Sequence, residues 1–163
     1  MKKETILLLS FVFLNSCMNL KYQISTNSND KKLIKTSYVL FDFSTQANRD
    51  DFFISKLLLA LKENNINILD TLTITPLSFI TKEEIEAKIN HTNSDAIIKV
   101  TPLKSIVKNT KYGYGLNSIS YLIEVKNSII SPSTRKCIIS IKHPDNFGNI
   151  QTKLTEAIKT LFQ

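Results

Sequence analysis

The sequence predicts an α/β fold with α+β character, in which a mixed sheet of about five strands carries about three helices. In the first half, apolar runs of strand length alternate with segments of helical periodicity, a pattern typical of parallel strands joined by helical crossovers. In the second half, strands of alternating apolar and polar residues follow one another directly, which predicts an antiparallel meander with one solvated face.

The domain is predicted to open with a buried strand and a helix. Residues 37–43, SYVLFDF, form a nearly continuous apolar run, as expected for a central strand that is covered on both faces. Apolar residues then recur at helical spacing over residues 53–61. Asn48 is the predicted N-cap of this helix, and Asp50 and Asp51 lie where carboxylates interact favourably with the helix dipole.

A second strand and a second helix follow. Residues 66–74 are strand-like, and Pro76 closes them. In the segment TKEE, Thr81 and Glu84 have the spacing of a capping box, in which each side chain bonds to the backbone N–H of the other residue. Residues 95–100, DAIIKV, predict the next strand, because they form a short apolar run directly after the helix.

The remaining elements are two strands and a helix. Residues 118–125 and 135–142 alternate between apolar and polar side chains, as half-buried strands do. Residues 150–162 show the period of an amphipathic helix. Residues 104–108 can extend the preceding strand beyond Pro102.

The amino terminus has the pattern of a secretory signal. Lys2 and Lys3 precede an apolar run, residues 6–14, that only Ser10 interrupts. A run of this length is too short to cross a bilayer as a helix, which takes about 20 residues, but it fits the hydrophobic region of a signal peptide. We therefore predict that residues 1–16 are a signal peptide.

The end of this run, Leu14-Asn15-Ser16-Cys17, resembles the lipobox of bacterial lipoproteins. The resemblance implies cleavage between Ser16 and Cys17, a diacylglycerol on the Cys17 sulfur, and further acylation, such as by palmitate. It also implies a place in the cell envelope, with the membrane as a partner through lipidated Cys17. Met18 is not an acidic retention signal, which favours the outer membrane. An ordinary cleaved signal peptide and a buried amino-terminal helix of a cytosolic protein are the alternatives.

The rest of the chain divides into a tether and one domain. Residues 17–35 are polar and weakly periodic, which predicts a flexible, lipid-anchored tether. Residues 36–163 have the size of a single globular domain.

The charge favours anionic partners, since the formal net charge is +7. Nucleic acid is not among the partners we predict. Only Arg49 and Arg135 are arginines, and arginine is the usual residue for bidentate recognition of phosphates and bases.

No catalytic, cofactor or metal motif is present in the sequence. It has neither the G-x-S-x-G elbow of hydrolases nor a phosphate-binding P-loop. His91 and His143 lack metal-ligand spacing. Cys137 is predicted to be buried beside Ile139 and Ile141 on one strand face. We therefore predict no catalytic residue, cofactor, metal ion or small-molecule substrate.

The carboxylates leave one alternative open. Adjacent pairs at residues 50–51 and 83–84 lie in first helical turns, where the helix dipole explains them. Asp42 lies at the end of a buried strand, and such strand ends often line sites in α/β folds. A periplasmic or cell-wall hydrolase that uses Asp42 and a second strand-end carboxylate is therefore the alternative to a non-catalytic protein.

The best candidate for a partner-binding site is the loop predicted over residues 108–116, KNTKYGYGL. It carries Lys108, Lys111, Tyr112 and Tyr114, and tyrosine is enriched at binding hot spots. A mobile hairpin tip with locally packed tyrosines is the simpler interpretation. An unpaired edge strand of the sheet is another possible contact surface.

The segments YVLFDF, ENN and SDAIIKV, with the order of the elements, resemble the small α/β domain of several envelope proteins. These are lipoprotein activators of penicillin-binding proteins, the amino-terminal domain of the Tol system's propeller protein, and curli-secretion lipoproteins. The likeness spans residues 36–163, and this chain has Asp42-Phe43 where those proteins have PF. It implies a protein-binding or assembly module that docks on another envelope protein without catalysis. A surface-displayed lipoprotein that contacts host molecules is a further alternative.

Overall fold

The computed structural model describes residues 20–26, 34–45, 50–111, 113–127, 134–142 and 147–163. Within them, the strands are β1 (Leu20–Thr26), β2 (Thr36–Asp42), β3 (Asn67–Ile74), β4 (Ala96–Thr110), β5 (Gly113–Asn127) and β6 (Thr134–Lys142). The helices are α1 (Asp51–Glu63), α2 (Lys82–Thr92) and α3 (Phe147–Phe162). The predicted α/β fold with a mixed sheet and three helices is confirmed, and the described residues form a sheet of six strands.

The sheet is parallel on one side and antiparallel on the other. Its strand order is β1-β6-β5-β4-β2-β3. β2 pairs in parallel with both β3 and β4, whereas β4, β5, β6 and β1 are successive antiparallel neighbours. Parallel neighbours need crossover connections, and α1 and α2 supply them. The predicted division into a parallel first half and an antiparallel second half is therefore confirmed.

The strand that the sequence did not predict is β1, which lies within residues 17–35, the segment predicted to be a tether. It pairs with β6 along its whole length. Its residues LKYQIST alternate between apolar and polar, with Leu20, Tyr22 and Ile24 on one face, so the pattern of a half-buried strand was present in the sequence. The half-buried Ile24 packs against the core, and tertiary contacts of this kind decide whether a short segment becomes a strand. The expectation of a flexible tether therefore missed an edge strand.

One face of the sheet carries the main core, where α1 and α3 pack. Fully buried side chains there include Phe53 and Leu57 of α1, and Leu154 and Ile158 of α3. On β5, every second residue belongs to this core: Ile119, Tyr121, Ile123 and Val125. The intervening residues of β5 therefore point to the opposite side of the sheet.

The opposite face of the sheet is also buried at β2. On β2, Val39 and Phe41 join the main core, and Tyr38 and Leu40 alternate with them and are buried as well. β3 lies on one side of β2 and β4 on the other, so right-handed crossovers place α1 and α2 on opposite faces. The predicted burial of the first strand on both faces is therefore confirmed. α2 itself contains no buried residue.

β4 and β5 form a hairpin of two 15-residue strands. β2 pairs with β4 only as far as Val100. Pro102 has no N–H, but it lies beyond this pairing, so no hydrogen bond to β2 is lost there. Two register shifts between β4 and β5 mark bulges, which increase the local twist. The predicted extension over residues 104–108 is confirmed, and β4 continues to Thr110.

The N-cap of α1 is Asp50, whose Oδ1 accepts a hydrogen bond from the Phe53 N–H at 2.9 Å. The prediction of Asn48 as the cap is wrong, and Asn48 itself lies outside the described residues. Aspartate caps a helix as well as asparagine does. The second carboxylate oxygen of Asp50 accepts from the Tyr121 hydroxyl, so a contact remote in sequence favours this cap.

The capping box predicted at the start of α2 is confirmed. The Thr81 N–H donates to Glu84 Oε2 at 2.8 Å, and the Glu84 N–H donates to Thr81 Oγ1 at 3.2 Å. The signal is local, so it can be read without knowing the packing. Asn93, with a φ of 48°, ends the helix in the left-handed conformation.

Arg135 ties the end of α3 to the sheet. It is 7% exposed, and its Nη1 donates to the Leu161 carbonyl oxygen at 3.0 Å, where a cation also interacts favourably with the helix dipole. We expect Arg135→Met to lower the free energy of unfolding by about 1.5–3 kcal/mol, measured by urea denaturation of a chain that starts at Met18. The exposed Lys142→Met on the same strand is the control and should cost less than about 0.5 kcal/mol. Equal losses in both variants would contradict this role of Arg135.

Candidate functional site

The face of the sheet opposite α1 and α3 defines a surface that we call the open face. Its members follow from the alternation on β5 and the register of the neighbouring strands. They are Lys21, Gln23 and Ser25 of β1; Lys136, Ile138, Ser140 and Lys142 of β6; Ser118, Ser120, Leu122, Glu124 and Lys126 of β5; and Ile97, Lys99, Thr101, Lys104 and Ile106 of β4. Each of them is exposed or half-buried.

Lysines dominate the charge of the open face. It carries six lysines and one glutamate, with Asp42 at its border on β2. Lys136 lies 2.8 Å from Glu124, and Lys99 lies 2.8 Å from Asp42. The four lysines outside these pairs are exposed. A strand surface with this excess of positive charge attracts anionic partners.

Serines lie between the lysines of the open face. Ser120 and Ser140 are cross-strand partners whose hydroxyl oxygens are 2.8 Å apart. In the same row, Lys21 lies beside Ser140 and Lys104 lies beside Ser120. The row therefore runs cation, hydroxyl, hydroxyl, cation across four strands. Such a row can donate hydrogen bonds to several carboxylates of an extended partner.

A cavity of ≈ 500 Å³ lies at α1 and α3, and its lining includes Glu63, Asn64, Thr155 and Phe162. Its polar groups bond to one another. The Thr155 hydroxyl donates to the Glu63 carboxylate, and Asn64 Nδ2 donates to the Thr155 carbonyl oxygen at 3.1 Å. These bonds join the two helices, so the cavity has a structural explanation.

Asp42, the acid considered for catalysis, is held in an ion pair. Its Oδ2 lies 2.8 Å from Lys99 Nζ, and its Oδ1 accepts from the Ser44 hydroxyl at 2.6 Å. Partial burial alone would raise the pKa of Asp42, but the hydrogen bonds from Lys99 and Ser44 outweigh it and hold the pKa below its ordinary value. A general acid needs a raised pKa, so this environment does not suit Asp42 to that role.

Within the residues that the structure describes, the candidate metal ligands are not brought together. No three of the His, Cys, Asp and Glu side chains in the described part of the chain could hold a metal ion. His91 is exposed in the last turn of α2, and His143 lies outside the described residues. Asp95 Oδ2 accepts from the backbone N–H groups of Lys35 and Thr36 at 3.1 and 2.9 Å. Asp95 therefore joins the starts of β2 and β4.

The predicted partner-binding loop, residues 108–116, is mostly paired strand. Lys108 lies in β4 and Tyr114 in β5, on the two paired strands of the hairpin. The prediction of a loop of this length is wrong, because pairing with a neighbouring strand outweighs the low strand propensity of the glycines. Lys111 is exposed in the turn. Tyr112 and the side chains of Lys108 and Tyr114 lie outside the described part, so their role in binding stays a prediction.

Sequence reasoning missed an exposed apolar turn, residues 75–80, between β3 and α2. Leu77 is 82% exposed and Phe79 is 101% exposed. The Ser78 N–H donates to the Thr75 carbonyl oxygen at 3.0 Å, and the Thr75 N–H donates to Ser78 Oγ at 2.9 Å. The turn is therefore ordered by its own hydrogen bonds. Two large apolar residues in a turn were the available signal, because such residues mark contact surfaces.

Cys137 is buried on the same face as Ile139 and Ile141, as predicted. Burial raises the pKa of the thiol to about 12. Because the thiolate is the reactive form, we expect maleimide to modify Cys137 slowly in the folded protein and rapidly in urea. Intact mass measured over time, in a chain that starts at Met18, checks this. Similar rates in both conditions would show that the thiol is accessible.

The predicted lipid attachment at Cys17 and cleavage between Ser16 and Cys17 lie outside the described residues and stay predictions. Among the residues that are described, no helix is long and apolar enough to span a membrane.

No protein-family model and no curated protein matches the chain. Two solved structures of PelC dodecamers from Paraburkholderia phytofirmans are similar in fold. One, of a PelC variant, has a TM-score of 0.56 and 7% identity, and the match covers 85% of this chain and 96% of that chain. The other has a TM-score of 0.53 and 8% identity, covering 86% and 96%. Identity at this level shows likeness of fold alone. The likeness to penicillin-binding-protein activators and the Tol protein stays a prediction.

Proposed function

We propose that the chain is a lipid-anchored envelope protein that acts as a protein-binding or assembly module without catalysis. Its anchor is Cys17, exposed by cleavage after Ser16, and its favoured location is the outer membrane. The observation that carries the binding role is the open face, which presents six lysines around a pair of hydrogen-bonded serines.

An acidic protein surface fits the open face best. Lysine ammonium groups can accept carboxylates in many geometries. Ile106 and Ile138, which are 43% and 38% exposed, offer apolar contact area among the charges, and protein interfaces combine both kinds of contact. A sheet surface meets its partner over a wide area, whereas small molecules are bound in concave sites.

The likeness in fold supports an assembly as the setting of this protein. The similar PelC structures are dodecamers, so the same fold serves there as the subunit of a multimer. We propose that this chain likewise works within an envelope assembly, with another envelope protein on its open face.

The hydrolase alternative has weaker support. It would use Asp42, and the ion pair with Lys99 and the bond from Ser44 keep that carboxylate ionised. An ionised acid that is already paired is poorly suited to donate a proton.

Crosslinking from two faces in living cells tests the proposal. A photoreactive amino acid is placed at Ser118 on the open face or at Leu59 on α1, which is 43% exposed. We expect Ser118 to give discrete adducts with a protein partner and Leu59 to give none. Lys104→Glu with Lys142→Glu should reduce the Ser118 adducts, since both changes reverse charge on the open face. Equal yields from the two sites, or none from Ser118, would contradict a docking role.

A further inference from the structure

One end of the sheet gathers several exposed features, and we call it the anchor end. β2, β3 and β4 are parallel, and their carboxyl ends lie at the anchor end. Because β5, β6 and β1 alternate in direction, the carboxyl end of β6 and the amino end of β1 lie at the anchor end as well. The tip of the β4–β5 hairpin therefore lies at this end. The apolar turn at residues 75–80 also lies there, because it follows the carboxyl end of β3.

The proposed lipid site lies at the same end. β1 begins at Leu20, three residues after Cys17, so an acylated Cys17 holds the start of β1 within about 10 Å of the bilayer, at the rise of an extended chain. In the register of the sheet, Leu20 lies level with Ser105 of β4. β4 continues for five residues from there to Thr110, or about 17 Å. Measured from the level of Leu20, the hairpin tip therefore extends at least as far towards the bilayer as Cys17 does.

The anchor end exposes several large apolar side chains. Phe79 is 101% exposed and Leu77 is 82% exposed on the ordered turn. Towards the hairpin tip, Leu103, Ile106 and Val107 are 50%, 43% and 54% exposed. A bilayer interface can bury such side chains, and the chain's own lipid anchor would bring one to them.

The positive charges at the anchor end suit contact with anionic lipid headgroups. Lys104 and Lys111 on the hairpin and Lys142 at the end of β6 are exposed. Lysines in such positions attract anionic headgroups and can lay their apolar stems along the interface. The acidic residues Glu83 and Glu84 begin α2 beside the apolar turn, so contact with lipid at that turn is apolar in character.

We infer that the anchor end lies on the bilayer, with the hairpin tip and the apolar turn in contact with the lipid headgroup region. This rests on the proposed lipid anchor at Cys17 and gives it a second consequence, a fixed orientation. The strands then point towards the membrane, and the open face stands beside it, accessible to a neighbouring protein.

Fluorescence quenching at matched pairs of positions tests the orientation. Single substitutions place a labelled cysteine at the anchor end, Lys111→Cys or Phe79→Cys, or at the far end of the element that follows each of them, Lys126→Cys on β5 or His91→Cys on α2. All four residues are exposed, so the variants should fold. The buried Cys137 and the acylated Cys17 do not take up the label. The full-length lipidated protein is reconstituted into phosphatidylcholine vesicles with a minor fraction of phosphatidylglycerol and a headgroup-quencher lipid.

We expect quenching at positions 79 and 111 to exceed that at positions 91 and 126 several-fold. Suppose that the protein floats with the vesicles, but quenching is equal at the two ends or absent at positions 79 or 111. This result would overturn the orientation but not the lipid anchor. Failure of the protein to float with the vesicles would overturn the anchor and the orientation together.

Discussion

Replacing Tyr121 with alanine is expected to lower the free energy of unfolding by about 3–5 kcal/mol. The Tyr121 ring is fully buried on β5 and stacks on the Phe53 ring of α1, with centroids 3.8 Å apart and planes inclined by 4°. Its hydroxyl donates to Asp50, the N-cap of α1, and burial together with this carboxylate raises the pKa of Tyr121. The substitution therefore removes the packing between sheet and helix and a partner of the capping carboxylate.

Two further variants separate these contributions. Tyr121→Phe keeps the stacked ring and removes the hydroxyl, so it should cost about 1–2 kcal/mol. Leu59→Ala, at an exposed position on α1, should cost less than about 0.5 kcal/mol. Urea denaturation of chains that start at Met18 gives all three values. A loss in Tyr121→Ala no larger than that in Tyr121→Phe would mean that the ring stack contributes little.

Replacing Cys17 with serine is expected to move the protein from the membrane fraction to the soluble fraction almost completely. The thioether cannot form on serine, and without it the chain loses acyl chains that each contribute about 0.8 kcal/mol per buried CH₂. Partitioning between aqueous and detergent phases measures the change. Cys137→Ser is the matched control, because it removes the chain's other cysteine, and it should stay with the membrane. Retention of Cys17→Ser in the detergent phase would contradict the lipid anchor.

Local signals identified much of the fold. The capping box of Thr81 and Glu84 depends on four adjacent residues, so it could be predicted without the packing. The burial of Cys137 followed from its alternation with Ile139 and Ile141. The parallel and antiparallel halves followed from whether helices separate the strands.

The elements that could not be predicted depend on contacts remote in sequence. The alternation in LKYQIST was a local signal for β1, but its pairing with the edge of β6 and the contact of Ile24 with the core could be known only from the fold. Asp50 rather than Asn48 caps α1, where the Tyr121 hydroxyl reaches its carboxylate. The hairpin extends through a glycine-containing segment because each strand finds its partner there.

The binding surfaces were harder to predict than the fold. The lysines and serines of the open face come from four separate strands, and only the register assembles Lys21, Ser140, Ser120 and Lys104 into one row. The sequence predicted a binding loop at the hairpin instead, because lysines and tyrosines cluster there within a few residues. Leu77 and Phe79 in a turn were a sequence signal for a contact surface, but only the folded chain shows that Phe79 is 101% exposed.

Chemical footprinting of lysines in native membranes tests the central claim, a protein partner on the open face, most directly. Lys104, Lys126, Lys136 and Lys142 are exposed on that face, and Lys62 of α1 and Lys159 of α3 are exposed on the helical side. Lys104 and Lys142 lie at the anchor end, where lipid would also protect them, so Lys126 and Lys136 report on a protein partner. We expect amine acetylation, read by mass spectrometry, to be slower at Lys126 and Lys136 in native membranes than in the dilute detergent-extracted protein. Lys62 and Lys159 should react equally in both. Equal reactivity of Lys126 and Lys136 in the two states would contradict the account.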